Sequence, residues 1–230
     1  MIFDPIYLVI VAPGLLLSLW ASWRVKSNFK KYSRVRSGRN ITGAQAAAEL
    51  LQSAGINDVE IVRTRGVLSD HYNPVSKKLA LSPDVYDSPS VASVGIAAHE
   101  AGHAIQHAEH YKPLWLRSVL VPTASIGSNL GYLMMLFGLM LSWAGLLYLG
   151  MILFSAVLLF QIVTLPVEFN ASSRAKVLLV NRGIITDRER VGVDKVLNAA
   201  AMTYVAAVVS TLLTLLYFLL RAGLLGGRND

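Results

Sequence analysis

The longest uncharged segment of the sequence sets the strongest constraint on the fold. From Val119 to Val167 the chain contains no Lys, Arg, Asp, Glu or His. A helix crosses the hydrocarbon core of a bilayer in about 20 residues, so this segment is long enough to cross it twice. Ser142 to Gly145 offers a short uncharged turn between the two crossings. The pattern therefore predicts a tight transmembrane hairpin, with spans at 118–141 and 143–165.

Two further apolar stretches meet the same length requirement. The first runs from about Pro5 to Trp23 and is followed by basic residues rather than a cleavage site, which indicates an uncleaved anchor. The other runs from about Ala199 to Leu220, and its start could belong to a soluble helix that continues into the membrane. Only 15% of the residues are charged, against about 25% in soluble domains. These features predict a multi-pass protein of the cell membrane with four spans.

The basic residues predict the orientation of the chain and its partners. Thirteen of the 21 Lys and Arg lie between Arg24 and Arg117, and six lie between Arg174 and Lys195. With four spans both segments fall on one side, which the positive-inside rule assigns to the cytoplasm. Because these charges flank apolar runs without interleaved aromatic residues, the predicted partner is the lipid bilayer and not nucleic acid. The absence of cysteine excludes thiolate zinc sites and disulfides.

The long loop between the first two spans has the pattern of a small α+β domain. Thr42 is a predicted N-cap for a helix that ends near Ala54. Strands are predicted at 59–63, 67–72 and 78–82, with a turn at 73–77, and a second helix at about 90–109. The predicted segments are an anchor at 1–23, a cytoplasmic α+β domain at 24–117, the hairpin at 118–165, a cytoplasmic segment at 166–198, a fourth span at 199–221 and a short tail at 222–230.

The second of these helices carries the pattern H-E-x-x-H, at His99, Glu100 and His103. Side chains four residues apart lie on one face of a helix, so both imidazoles can reach one metal ion. Glu100 is then placed to take a proton from a zinc-bound water. Because Val94 to Ala98 is apolar, the helix is predicted to lie in a core, where two histidines and a glutamate need a partner such as a metal.

A third protein ligand is needed, and several residues are candidates for this role. His107 lies about 12 Å along the helix from His99, so a straight helix cannot bring both to one ion. Glu109 lacks the preceding glycine break that a ligand there would need, and His110 lies one residue further still. Glu168 is favoured, because an acidic residue at the end of a long apolar run is costly unless it has a role.

Four segments carry a resemblance to a known family. They are 70–86, 97–107, 165–174 and 196–204. They resemble the bacterial membrane neutral zinc metallopeptidase family over nearly the whole chain. The sequence is also similar, more remotely, to integral-membrane gluzincin peptidases of the heat-shock and CAAX-processing type.

The resemblance implies one zinc ion per chain, held by His99, His103 and Glu168, with Glu100 as the catalytic base. In the remoter gluzincins, an Asp orients a zinc-binding His. This chain has Ser172 at the matching position, so the support that this position gives to the histidine is weaker or differently arranged. The implied fold is a mainly α polytopic membrane protein with about four transmembrane helices. The implied fold also contains a small cytoplasmic α+β gluzincin-like domain with a β-hairpin and the H-E-x-x-H helix.

The predicted function is that of a zinc-dependent membrane-embedded endopeptidase, in which a zinc-activated water attacks a peptide bond and Glu100 is the general base. The substrate is a peptide or membrane protein, expected to add as a strand to 67–72 or 78–82. Residues proposed to orient the zinc ligands or to stabilise the oxyanion are His71, Tyr72, Ser172, Arg174 and Tyr204.

The alternative function is a non-catalytic zinc-binding membrane scaffold or interaction protein. Structural zinc sites normally have four protein ligands, whereas only three are found here, and the intact Glu100 also favours catalysis. A homo-oligomer or a regulatory membrane partner is compatible with the sequence, which specifies neither.

Overall fold

The computed structural model describes residues 4–224, which form eight α-helices, a π-helical segment and three strands. In chain order they are α1 (Pro5–Tyr32), α2 (Gly43–Ser53), β1 (Glu60–Arg63), β2 (His71–Asn73), β3 (Lys78–Leu81), α3 (Pro83–Tyr86), α4 (Val91–Ala108), α5 (Lys112–Ile126), the π-helical segment Gly127–Gly131, α6 (Tyr132–Met140), α7 (Ala144–Asn181) and α8 (Asp187–Arg221). Most of the predicted tail, from 225 onward, lies outside the described residues.

Four helices are long and apolar enough to cross a bilayer, which confirms the predicted polytopic membrane fold. They are α1, the continuous stretch Lys112–Met140, α7 and α8, with mean hydropathies from 1.3 to 2.4 in their most apolar windows. The second is not a regular α-helix throughout, because Gly127–Gly131 is wound as a π-helix. Both α7 and α8 are longer than the roughly 20 residues that a bilayer needs.

The chain divides into two compact units, which are described separately. The helical unit contains the described residues up to Ala21, Leu116–Leu165, and those from Thr203 onward. The α/β unit contains Ser22–Trp115 and Pro166–Met202. The H-E-x-x-H helix and Glu168 both belong to the α/β unit, so the candidate site lies within one unit.

The predicted hairpin is present in the helical unit. The turn between its helices places Ser142 at a φ of 52°, and the Trp143 amide donates to the Gly138 carbonyl at 2.8 Å. The two helices approach so closely that a Cβ on Gly150 would lie 2.6 Å from the Met135 amide nitrogen. Small residues at such contacts are typical of helices that associate in lipid, where van der Waals packing replaces the hydrophobic effect.

Polar contacts join α1 to α8 within the same unit. The hydroxyls of Ser18 and Ser210 are 3.1 Å apart. Near the other end of the pair, the Tyr217 hydroxyl donates to the Asp4 carboxylate at 2.9 Å. These bonds satisfy polar side chains that would be costly to expose to hydrocarbon. They hold the helix at the N-terminus against the helix at the C-terminus.

The sheet of the α/β unit has the order β1-β3-β2, with β1 parallel and β2 antiparallel to the central β3. The strands predicted at 59–63 and 78–82 match β1 and β3 to within one residue at each end. The strand predicted at 67–72 is wrong for most of its length, because β2 spans only His71–Asn73. Gly66 and Leu68 have φ values of 108° and 53°, which an extended strand cannot contain.

The two helices predicted in the loop domain are confirmed, and their caps explain where they begin. Thr42 and Gln45 form the reciprocal hydrogen bonds of a capping box at the start of α2. The Ser90 hydroxyl accepts from the Ser93 amide at 3.1 Å and caps α4. The alanine-rich faces of α2 and α4 pack together in the core of this unit. Because α4 is almost wholly buried, its polar side chains must find partners inside the unit.

Candidate metal centre

Helix α4 presents the two histidines of the motif on the same side. The ring centroids of His99 and His103 are 4.7 Å apart, and the rings are inclined at 80°. Their side chains are 14% and 8% exposed. A hydrophobic core that admits two imidazoles is unusual unless they bind something, because burial without a partner is costly. The spacing of one helical turn therefore places two nitrogen ligands side by side, as predicted.

Helix α7 supplies the carboxylate, and a close contact between backbones brings it there. A Cβ on Gly102 of α4 would lie 2.8 Å from the carbonyl oxygen of Ala171 on α7. Only glycine permits this approach without displacing one of the helices. Glu168 lies one turn before Ala171 on α7 and is 2% exposed. The absence of a side chain at position 102 thus sets the separation between Glu168 and the two histidines.

The donor atoms fit a zinc ion. One carboxylate oxygen of Glu168, Oε2, lies 3.2 Å from His99 Nε2 and 3.6 Å from His103 Nε2. The three ligand atoms all lie within 4.8 Å of one another. Ligands at about 2.0–2.1 Å from a tetrahedral zinc lie roughly 3.4 Å from each other. Two imidazole nitrogens and a carboxylate oxygen are also the donor set of catalytic zinc sites, which keep the fourth position open.

Ser172 contacts the first histidine on the side away from Glu168. Its hydroxyl oxygen lies 3.1 Å from His99 Nδ1, and the residue is 5% exposed. With Nδ1–H donating to this oxygen, His99 presents the lone pair of Nε2 towards Glu168. Ser172 was predicted as a residue that orients a zinc ligand, and the structure places it in contact with one. It offers a neutral acceptor rather than a carboxylate.

Gln106 makes the equivalent contact with the second histidine, and the sequence analysis did not identify it. Its amide oxygen lies 3.0 Å from His103 Nδ1, and the residue is fully buried. The available signal was its position three residues after His103, which puts both side chains on one helix face. A buried glutamine beside a metal-binding motif must have hydrogen-bond partners, and the ring nitrogen of His103 is one of them.

Glu100 follows His99 on α4 and is 7% exposed. Among the described residues, none forms a hydrogen bond or ion pair with its carboxylate. Its carboxylate is therefore not engaged in an ion pair in this part of the chain, as the carboxylate of a general base must not be.

The remaining predicted residues have other contacts or lie elsewhere. His71 is exposed on β2, and its Nδ1 lies 2.9 Å from the Ser69 carbonyl oxygen. The Tyr72 hydroxyl lies 2.8 Å from His107 Nδ1, and burial raises the pKa of this hydroxyl. Tyr204 is half-buried on α8, in the helical unit. For these residues a part in the reaction stays a prediction.

Arg174 joins the end of α4 to its own helix, α7. It pairs with Glu109 at 2.6 Å, and its Nε donates to the Asn170 side-chain oxygen at 2.8 Å. Glu109 was weighed as a zinc ligand, and its carboxylate is bonded to Arg174 instead. Among the described residues, only His99, His103 and Glu168 form a cluster able to hold a metal.

Gly102→Ala is expected to weaken metal binding, because the added Cβ would push α4 away from the Ala171 carbonyl. The measurement is the zinc affinity of the purified variant in competition with a chelator. Gly95→Ala on the same helix is the matched control, since the nearest atoms to its Cβ belong to the side chain of Val193, at 3.2 Å, and not to a backbone. Equal zinc affinities in the two variants would show that the close approach at Gly102 does not set the ligand geometry.

Comparison with known proteins agrees with this geometry. The family described as "Putative neutral zinc metallopeptidase" matches residues 7–223. A protein of Bacillus subtilis (strain 168), described as "Putative membrane protease YugP", is 46% identical over 225 residues, which cover 98% of each chain. No solved structure shows a significant match. The chain therefore belongs to the neutral zinc metallopeptidase family named by that match.

Proposed function

We propose that this protein is a zinc-dependent membrane endopeptidase, with zinc held by His99, His103 and Glu168 and with Glu100 as the general base. The observation that carries the proposal is the convergence of three donor atoms within 4.8 Å, two from the helix that also bears Glu100 and one from α7. Two imidazoles and one carboxylate leave a fourth position for water, whereas a structural zinc site is closed by four protein ligands.

The reaction follows from the chemistry of these groups. Zinc, when bound, lowers the pKa of water and polarises a carbonyl group. Glu100 accepts a proton from the water that attacks the peptide carbonyl, and it returns that proton to the departing amine. Ser172 and Gln106 hold the two imidazoles so that each presents Nε2 to the metal.

The sheet limits where a substrate strand could bind. β3 is paired on both sides, by β1 and β2, so the segment predicted at 78–82 cannot accept a further strand. β2 has one edge that pairs with no other strand among the described residues, and it packs against α4. We therefore place the substrate on β2, where an extended peptide would gain main-chain hydrogen bonds.

The direct test is the cleavage of an unfolded protein. Purified protein in detergent would be incubated with casein, and the products would be sequenced by mass spectrometry. The expected result is internal cleavage with new amino termini, which stops on addition of a zinc chelator. Cleavage that continues in the presence of the chelator would contradict the proposal. A zinc ion with four protein ligands in X-ray absorption spectra would favour the non-catalytic scaffold.

The α/β unit is proposed to lie on the cytoplasmic side, because the basic segments flank the spans on that side. The chain contains no cysteine, so single cysteines report topology without background. Val75, in the β2–β3 turn, is 95% exposed, and Ser142 lies in the exposed turn of the hairpin. In intact cells an impermeant maleimide is expected to label Ser142→Cys, but to label Val75→Cys only after permeabilisation. The reverse pattern would invert the proposed topology.

A further inference from the structure

We infer that Gln106, Asn170 and Arg174 form a directed chain of hydrogen bonds that fixes His103 in the tautomer able to bind zinc. The inference rests on the proposed zinc site, and it assigns positioning roles to residues that never touch the metal. The chain runs from α7 to α4 inside the α/β unit. In this chain, a group that can only donate or only accept a hydrogen bond fixes the role of the group next to it.

The amide of Gln106 can adopt only one orientation. Its nitrogen donates to the carbonyl oxygen of Val167 at 2.9 Å. A backbone carbonyl oxygen can only accept a hydrogen bond, so the end of the amide that faces it must be the NH2 group. The oxygen of Gln106 is thereby turned towards His103 Nδ1, at 3.0 Å. A flipped amide would place two oxygens against each other in a fully buried position.

Asn170 and Arg174 enforce the same orientation independently. The guanidinium of Arg174 can only donate, and its Nε donates to Asn170 Oδ1 at 2.8 Å. The same oxygen accepts from the Gln106 amide nitrogen at 2.9 Å. Glu109 anchors the guanidinium from the other side, at 2.6 Å. The contact of Arg174 with an oxyanion stays a prediction, and the positioning role assigned here is separate from it.

These bonds determine which ring nitrogen of His103 carries a hydrogen. The oxygen of Gln106 only accepts, so His103 Nδ1 must carry a hydrogen. A neutral imidazole protonated at Nδ1 has its lone pair on Nε2. Nε2 is the nitrogen that lies near the Glu168 carboxylate, at 3.6 Å. With a hydrogen held on Nδ1, Nε2 is the nitrogen left to coordinate zinc, and the chain keeps it in place, which lowers the cost of forming the site.

Two glutamine-to-glutamate substitutions test the inference, because only the one at Gln106 should lower the zinc affinity. Gln106→Glu removes the donor, so a carboxylate oxygen would face the oxygens of Val167 and Asn170. Gln52→Glu makes the same exchange at an exposed position on α2, outside the hydrogen-bond chain, and is the matched control. The measurements are zinc affinity by chelator competition and the thermal unfolding midpoint of the metal-free proteins.

The expected result is a zinc affinity about 10- to 100-fold lower for Gln106→Glu and unchanged for Gln52→Glu. Equal affinities for the two variants, or an undiminished affinity for Gln106→Glu, would overturn the inference while leaving the proposed function intact. If Gln106→Glu does not fold, Gln106→Met removes the acceptor without adding a charge and should lower the affinity similarly. A wild-type protein that binds no zinc would overturn the proposed function and this inference together.

Discussion

Glu100→Gln is expected to abolish most peptide cleavage while zinc remains bound. The amide has the same shape as the carboxylate but cannot accept a proton from water, and general acid–base catalysis contributes about 10²- to 10⁴-fold to such reactions. Glu100 is not among the three residues whose donor atoms converge, so zinc binding should be unchanged. The measurements are the rate of casein cleavage and the zinc content of the same preparation.

Glu49→Gln is the matched control for this variant. Glu49 is a partly exposed glutamate on α2 that pairs with Arg39 at the protein surface, and ion pairs at the surface contribute little to stability. It should keep both zinc and activity. If Glu100→Gln cleaved casein at the wild-type rate, Glu100 would not be the base. If it lost zinc, the residue would belong to the metal site itself.

Glu168→Ala is expected to remove zinc from the protein at the concentrations used for purification. The substitution deletes one of three donors and the only negative charge in the cluster. It also leaves a buried space where α7 meets α4, since Glu168 is 2% exposed. Zinc content by mass spectrometry measures the loss, and circular dichroism shows whether the helices remain.

Two controls separate metal loss from unfolding in this experiment. Glu168→Gln preserves the volume but not the charge, so it should fold normally and still bind zinc more weakly than wild type. Glu49→Ala removes a partly exposed glutamate and should bind zinc fully. If Glu168→Ala retained one zinc per chain, the third ligand would have to be sought among other residues. The proposed ligand set would then be wrong.

The membrane helices could be predicted because hydrocarbon imposes a length and an apolar composition that few other structures need. The ends of α7 and α8 were less predictable. α7 continues to Asn181 and α8 begins at Asp187, so both extend well beyond the apolar stretches. A helix does not have to end at the membrane surface, and hydropathy marks only where the apolar part stops. As a result, Glu168 lies inside a continuous helix rather than after one.

The metal-binding residues could be predicted in part, for reasons of local geometry. His99 and His103 follow from helical spacing alone, and Glu168 followed from the cost of an acid beside an apolar run. The contacts of Gln106 with α7 depend on how closely two helices distant in sequence approach. That approach is set by Gly102 opposite Ala171, which no local pattern reveals. The start of β2 was misplaced for a similar reason, because positive φ angles at Gly66 and Leu68 interrupt the apparent strand.

A zinc titration of the metal-free wild-type protein, with bound zinc and casein cleavage measured in the same samples, tests the proposed zinc peptidase function most directly. We expect the cleavage rate to rise in proportion to bound zinc and to reach a plateau at one zinc per chain. A protein that binds one zinc per chain but cleaves nothing at any point of the titration would contradict the peptidase function. A cleavage rate that does not depend on zinc would contradict the proposed metal centre.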